Sequence, residues 1–477
     1  MKLRILNKKF NIELIYGFFA YILYTIIYYV ICDIKNVPEI FIWFISFLGI
    51  IELIYIFYSY KKYSGAYFSL YTISILLMYI FNFGQCIAWA FGIHIEGEIG
   101  TTILFRYMVP NNTDILKSQL VFLICVFLFH VANVSKIYDK GFAILNKSNK
   151  IDNYSIFLTS IILSCVAIPA TIYYSITSFR QALVFGYGSL YYGDMANNVN
   201  EIIQILQYLF FPCLIGLLIG SNYKKPVVIF VYFTFIMYMV VNALYGDRGS
   251  WFYTLLIIIW MHHRYYKKIN MKKFIIYIVI GIVLLQIISA IVTVRNTGLS
   301  LENVKNALVS SKENVLLNNI FELGSSMGVN CIVISDGVKY PVGNSYLLAL
   351  IGSLTTRIPQ FFGIEYITLT RWFSQIYLNI SWGAGFTIVA ESIVNFGILF
   401  GPLIFVVFGL VFRKILNTGY LNGLSPIHTV INISLAYFFM NMIRNTMHDF
   451  MRGVFFGIIP LIVSVIVIKS FLKKSLK

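Results

Sequence analysis

The feature that most restricts this chain is a succession of continuous apolar runs of about 20 residues, following one another at short intervals along most of its length. Such a run spans the hydrocarbon core of a bilayer as a helix, whereas the strands of a membrane barrel would alternate with a period of two. Backbone groups in hydrocarbon must bond among themselves, so the chain has to build a bundle of helices. Only 12% of its 477 residues are charged, about half the fraction of a soluble domain. The expected fold is an all-α polytopic membrane protein with about 12 transmembrane helices. They fall near residues 14–32, 39–58, 66–91, 117–135, 154–175, 203–221, 226–244, 250–263, 274–294, 396–412, 427–443 and 453–470.

With the basic N-terminus on the cytoplasmic side, inside segments hold 23 of the 36 Lys and Arg residues, which is the bias of cytoplasmic loops, and both termini are then cytoplasmic. The formal charge of +17 has the same explanation, so no nucleic-acid partner is expected. The run after MKLRILNKK is too long and aromatic for a signal peptide and lacks a small-residue cleavage site, which makes it a retained first helix. The six cysteines show neither zinc nor disulfide spacing. The chain divides into an N-terminal transmembrane bundle of nine helices over 1–294, a long extracytoplasmic loop with interfacial helices over 295–382, and C-terminal transmembrane helices over 383–477. Within the loop, 300–317 reads as an amphipathic helix, and the apolar stretch 345–354 is too short to cross.

Polar residues concentrate in that loop and just beyond it. In WGAGFTIVAESIVNFG, residues 382–397, the side chains Thr387, Glu391 and Asn395 fall at i, i+4 and i+8 and would stack on one helix face in an apolar surround. In RNTMHDFMRG the same spacing joins Arg444, His448 and Arg452 into a cationic stripe, read either as a site or as interfacial arginines snorkelling to water. Arg248 sits between two glycines in a tight outer turn, placed to grip a phosphate in bidentate fashion or to pair with Asp247. Arg357 and Arg371 lie nearest the apolar surfaces of the loop. Outward arginines without converging carboxylates suit an anionic ligand, so metal-independent chemistry with no cofactor is expected. The Gly- and Tyr-rich segment 176–200 offers flat rings, either for sugars or for the membrane interface. Glu52 and His130, isolated in apolar runs, are expected to bond neighbouring helices, and Gly397 with Gly401 forms a G-x-x-x-G packing pattern.

The late outer loop, the G-x-R turn at Gly246 and Arg248, the Ile358-Pro359 dipeptide, and GAGFTIVAESIVNFG with its Gly383, Gly385, Ala390-Glu391 and Asn395-Phe396-Gly397 together resemble the O-antigen polysaccharide polymerase (Wzy) family. The resemblance spans most of the chain. It implies a GT-C-like glycosyltransferase of the bacterial cytoplasmic (inner) membrane, acting on its outer face. Its partners would be an undecaprenyl-pyrophosphate-linked oligosaccharide donor and acceptor, membrane lipids, a chain-length regulator and a flippase. Arg248, Arg357, Arg444 and Arg452 would hold the pyrophosphate, and Glu391 or His448 would take the acceptor proton. Two other functions fit the same chain. A lipid-linked oligosaccharide flippase would draw a central cationic cavity from many helices, and an O-antigen ligase would share the chemistry while using a different acceptor. The early intramembrane histidine-arginine signature of membrane O-acyltransferases is missing.

Overall fold

The computed structural model describes residues 2–5, 8–135, 150–185, 190, 199–245, 249–270, 315–419 and 424–475. Apart from a short antiparallel hairpin, Lys2–Ile5 with Lys8–Asn11, the regular structure is helical. Nine helical runs among the described residues are long and apolar enough to cross a membrane. Of the remaining expected spans, 274–294 lies outside the described residues, as does most of the amphipathic stretch 300–317. The other two are short. Gly249–Met261 has 13 residues before a π-helical turn at His262–Tyr266, and Pro426–Met442 has 17, lengths of roughly 20 and 26 Å at 1.5 Å per residue. The helix Lys150–Phe185 instead outruns its expected span at both ends and takes the start of the Gly- and Tyr-rich segment into helix.

The chain forms two compact units. The first comprises 1–142, 320–421 and 442–449. Its centre is the helix Asn112–Val134, against which Ile12–Cys32, Glu39–Ser64 and Ile404–Leu416 pack. Asn112–Val134 and Leu70–Trp89 are 78% and 83% buried, so polar side chains on them must find partners inside the protein. His130 does so with Tyr71 Oη at 2.7 Å and Ser59 Oγ at 3.1 Å, the interhelical bonding expected of it. Gly409 lets two helices touch, since a Cβ there would lie 2.6 Å from the Phe129 carbonyl oxygen. The segment between Leu70–Trp89 and Asn112–Val134 is fastened to the long loop. Tyr107 and Tyr377 both donate to Asp336, at 2.5 and 2.7 Å, and the Arg106 guanidinium lies 4.9 Å from the Trp382 ring.

The second unit comprises 143–319, 422–441 and 450–477. Glu201–Leu206, Phe210–Gly220, Lys225–Tyr245 and Ile459–Ser475 pack on Lys150–Phe185, with Gly216 and Gly220 admitting Ser160 and Phe157 at distances that no side chain would allow. A 2.5 Å ion pair from Lys469 to Asp152 joins its last helix to that one.

One feature of the first unit departs from the expected span 396–412. Inside Ile388–Phe400, Gly397 adopts φ 73° and ψ 173°, a region open to glycine alone. A straight helix would carry residue 401 about 13.5 Å beyond residue 392, yet a Cβ on Gly401 would lie 3.0 Å from the Ser392 carbonyl oxygen. The chain therefore doubles back at Gly397, and the run Ile388–Leu416 is a broken helix. Two carbonyls just past the break are taken up by the first helix, with Tyr24 Oη on Ile398 O and Tyr21 Oη on Leu399 O, both at 2.8 Å, and Ile398 O has no helical donor of its own because residue 402 is proline. Gly397 thus serves conformation rather than packing, since nothing stands within 4 Å of where its Cβ would be, whereas Gly401 makes the close approach expected of it.

Candidate functional site

The short helix before that reversal carries Thr387, Glu391 and Asn395 on one face, as their spacing predicts. Thr387 caps it, accepting from Ala390 N–H at 3.0 Å and donating to Asn330 Oδ1 at 2.5 Å. Asn330 in turn donates to Asn82 Oδ1 at 3.2 Å, which anchors the helix start to Leu70–Trp89. One turn on, Glu391 is wholly buried. Its Oε1 accepts from Ser345 Oγ at 2.6 Å and its Oε2 from Met447 N–H at 2.8 Å. Asn395 closes the cluster, its amide donating to Ser345 Oγ at 2.8 Å and its Oδ1 accepting from Ser345 N–H at 2.7 Å.

Ser345 and Met447 each open a helix, Ser345–Gly352 and Met447–Gly453. The Glu391 carboxylate therefore sits at the starts of two helices, near the positive ends of their dipoles, taking the first backbone N–H of one and the hydroxyl of the first residue of the other. Burial, and then the Glu391 carboxylate, raise the Tyr340 phenol above its usual range, so Tyr340 remains a neutral donor to the Ile367 carbonyl.

His448 follows Met447 directly and is 9% exposed, with Nδ1 2.8 Å from Tyr366 Oη. The two candidates for a proton acceptor, more than 50 residues apart in sequence, thus belong to one cluster in the first unit. The cationic stripe does not form as expected. The helix Pro426–Met442 ends, the chain turns through residues 443–446, and a new helix starts at Met447. Thr446 supplies the start, its N–H and hydroxyl reaching the Asp449 carboxylate at 3.4 and 3.1 Å. Arg444 is consequently off the His448 helix, with its guanidinium 5.4 Å from the Phe81 ring. Arg452 shares the helix with His448 and belongs to the second unit, where it lies 5.5 Å from the Tyr208 ring and 5.8 Å from that of Phe456. Its Nε is buried without a hydrogen-bond partner among the described residues.

Arg357 is exposed at the start of the short helix Arg357–Phe361, which ends in Phe361 at 87% exposure. Arg371 holds Gln375 at 2.9 Å, and Arg248 lies outside the described residues. Sequence reasoning missed Ser345, Tyr366 and the Met447 N–H. Asn344, whose side chain accepts from the N–H groups of Tyr346 and Leu347, was a readable helix start for the first, and the T-x-x-D pattern at 446–449 for the last. Nothing in the sequence marks Tyr366.

Among the described residues no group of three or more His, Cys, Asp or Glu converges as a metal would require. The cluster can hold a loop helix and a membrane-helix end in fixed register and present an imidazole backed by a phenol. The family model described as O-antigen polysaccharide polymerase Wzy matches residues 12–475. No curated protein and no solved structure matches the chain.

Proposed function

The chain belongs to the O-antigen polysaccharide polymerase Wzy family, and on that premise we propose that it joins undecaprenyl-pyrophosphate-linked oligosaccharide repeat units into O-antigen or a capsule-type polysaccharide. The reaction takes place on the outer face of the bacterial cytoplasmic membrane, with both termini inside and no metal required. The growing glycan is the donor and a new lipid-linked unit the acceptor. An acceptor hydroxyl oxygen attacks the anomeric carbon of the donor, the bond from that carbon to the pyrophosphate oxygen breaks, and undecaprenyl pyrophosphate leaves in line.

The observation that carries this reading is the convergence on Glu391 of the outer loop, through Ser345, and of the last membrane helix, through Met447. Both Glu391 oxygens are occupied and the side chain has no surface, so its role is to position. His448, next in the chain to Met447 and bonded to Tyr366, is the better proton acceptor. Arg444 and Arg357 would neutralise the pyrophosphate as charge develops on it, a role the family resemblance implies for Arg248 and Arg452 as well. A guanidinium supplies two parallel donors to a phosphate, which an ammonium does not.

The test is to incubate the purified full-length protein in nanodiscs with its lipid-linked repeat unit alone, without nucleotide or added metal. A ladder of lengthening glycans is expected. If no ladder forms, two companion assays decide between the alternatives: transfer of the lipid-linked unit across a proteoliposome bilayer would replace polymerisation by transport, and transfer to an added lipid A core acceptor would replace it by ligation.

A further inference from the structure

A cavity of about 480 Å³ opens in the first unit, remote in sequence from the Glu391 cluster, and lies within the range of small-molecule pockets. Two tryptophans line it, Trp43 and Trp89, together with Glu39, Glu98, His94 and Asn112. No lysine or arginine does. The polar wall is built rather than incidental. Glu98 is buried and accepts from Trp89 Nε1 at 2.7 Å while His94 Nδ1 stands 2.9 Å from its other oxygen. The loop bearing Glu98 is pinned from within, since buried Gln85 accepts from Ile99 N–H at 3.0 Å and donates to the Phe321 carbonyl at 2.9 Å. The walls are thus fixed before any ligand arrives.

That chemistry selects its ligand. Indole surface suits the C–H face of a pyranose ring, and carboxylate and amide oxygens suit its hydroxyls. Two carboxylates, one of them paired with His94, and no lysine or arginine disfavour a phosphate or a uronic acid. The same outer segment that rims the cavity reaches Trp382 through Arg106, at the head of the stretch leading to Glu391. We infer that this cavity is a glycan subsite that takes a neutral or amino-bearing pyranose of the repeat unit, away from the residues that carry transfer. The inference rests on the polymerase reading for the identity of the glycan alone.

The probe is the repeat-unit oligosaccharide cleaved from its lipid and freed of phosphate, titrated against the full-length protein in nanodiscs without turnover. Trp43 is 43% exposed, so Trp43→Ala should leave folding intact. It is expected to weaken binding roughly tenfold, with Trp43→Phe recovering most of the loss. Glu39→Gln alters the rim by one atom, is safe for folding, and should weaken binding of an amino-bearing glycan several-fold. A uronic acid oligosaccharide of the same length should bind more weakly than the neutral one. The inference is overturned if the unaltered protein shows no saturable binding, if both Trp43→Ala and Glu39→Gln bind as the unaltered protein does, or if the uronic acid probe binds equally well. A missing ladder in the turnover assay counts against polymerisation alone, because binding of the freed oligosaccharide is scored independently.

Discussion

Ser345→Ala is the sharpest perturbation of the proposed site. It removes one oxygen and introduces no bulk. The hydroxyl it deletes donates to Glu391 Oε1 at 2.6 Å and accepts from Asn395 at 2.8 Å. Asn395 keeps its second bond, to the Glu391 carbonyl at 2.7 Å, so the loss falls on the carboxylate. A buried acceptor left unsatisfied costs about 1–3 kcal/mol. If that energy is what holds the loop helix in register with His448, the rate should fall by about 5- to 150-fold. Purified Ser345→Ala in nanodiscs, given the lipid-linked repeat unit, measures it by initial rate of ladder formation, with a thermal melt run in parallel. Ser345→Thr, which keeps the hydroxyl, should retain most of the rate. Activity within twofold of the unaltered protein in Ser345→Ala would refute the argument that Glu391 acts by tying the outer loop to the end of the last helix.

Replacing His448 by alanine should abolish the ladder and be rescued in part by added imidazole, whereas Glu391→Ala should not respond to imidazole; the opposite pattern would exchange the two roles. Arg444→Lys keeps the charge and loses both the fork and the guanidinium's contact with the Phe81 ring, so its rate should drop by about tenfold, in line with one lost charge-assisted bond, and an unchanged rate would remove it from pyrophosphate recognition. Gly397→Ala forces a side chain into backbone space reserved for glycine and should cost about 1–3 kcal/mol, read as a lowered melting temperature, with no loss expected for a substitution at exposed Gln360.

Much of this was legible in advance because it depends on local chemistry. Thr387, Glu391 and Asn395 face one way for reasons of helical period, and apolar length locates most of the membrane helices. The cationic stripe failed because period was trusted across a helix end; residues 443–446 contain neither proline nor glycine, and only the Thr446–Asp449 capping pair marks the restart. The meeting of Glu391 with Ser345 and Met447 could not be read at all, since each partner is separated by about 50 residues and nothing in the pattern specifies which helix starts converge. Gly397 was legible as special, while its purpose was not: a glycine needed for close packing and one needed for a forbidden backbone angle look alike in sequence.

The bonds from Tyr21 and Tyr24 to the broken helix also fix an order of events in biosynthesis. Tyr24 and Ile398 are 374 residues apart, which at ribosomal speeds of 5–20 residues per second is a wait of roughly 20–75 s. Through that interval the first helix is already in the bilayer with two phenol hydroxyls and no carbonyls to receive them. The reversal at Gly397 can be secured only once the chain has been made as far as Leu399, and Glu391 acquires its bond from Met447 later still, so the surroundings of Glu391 are completed near the end of synthesis.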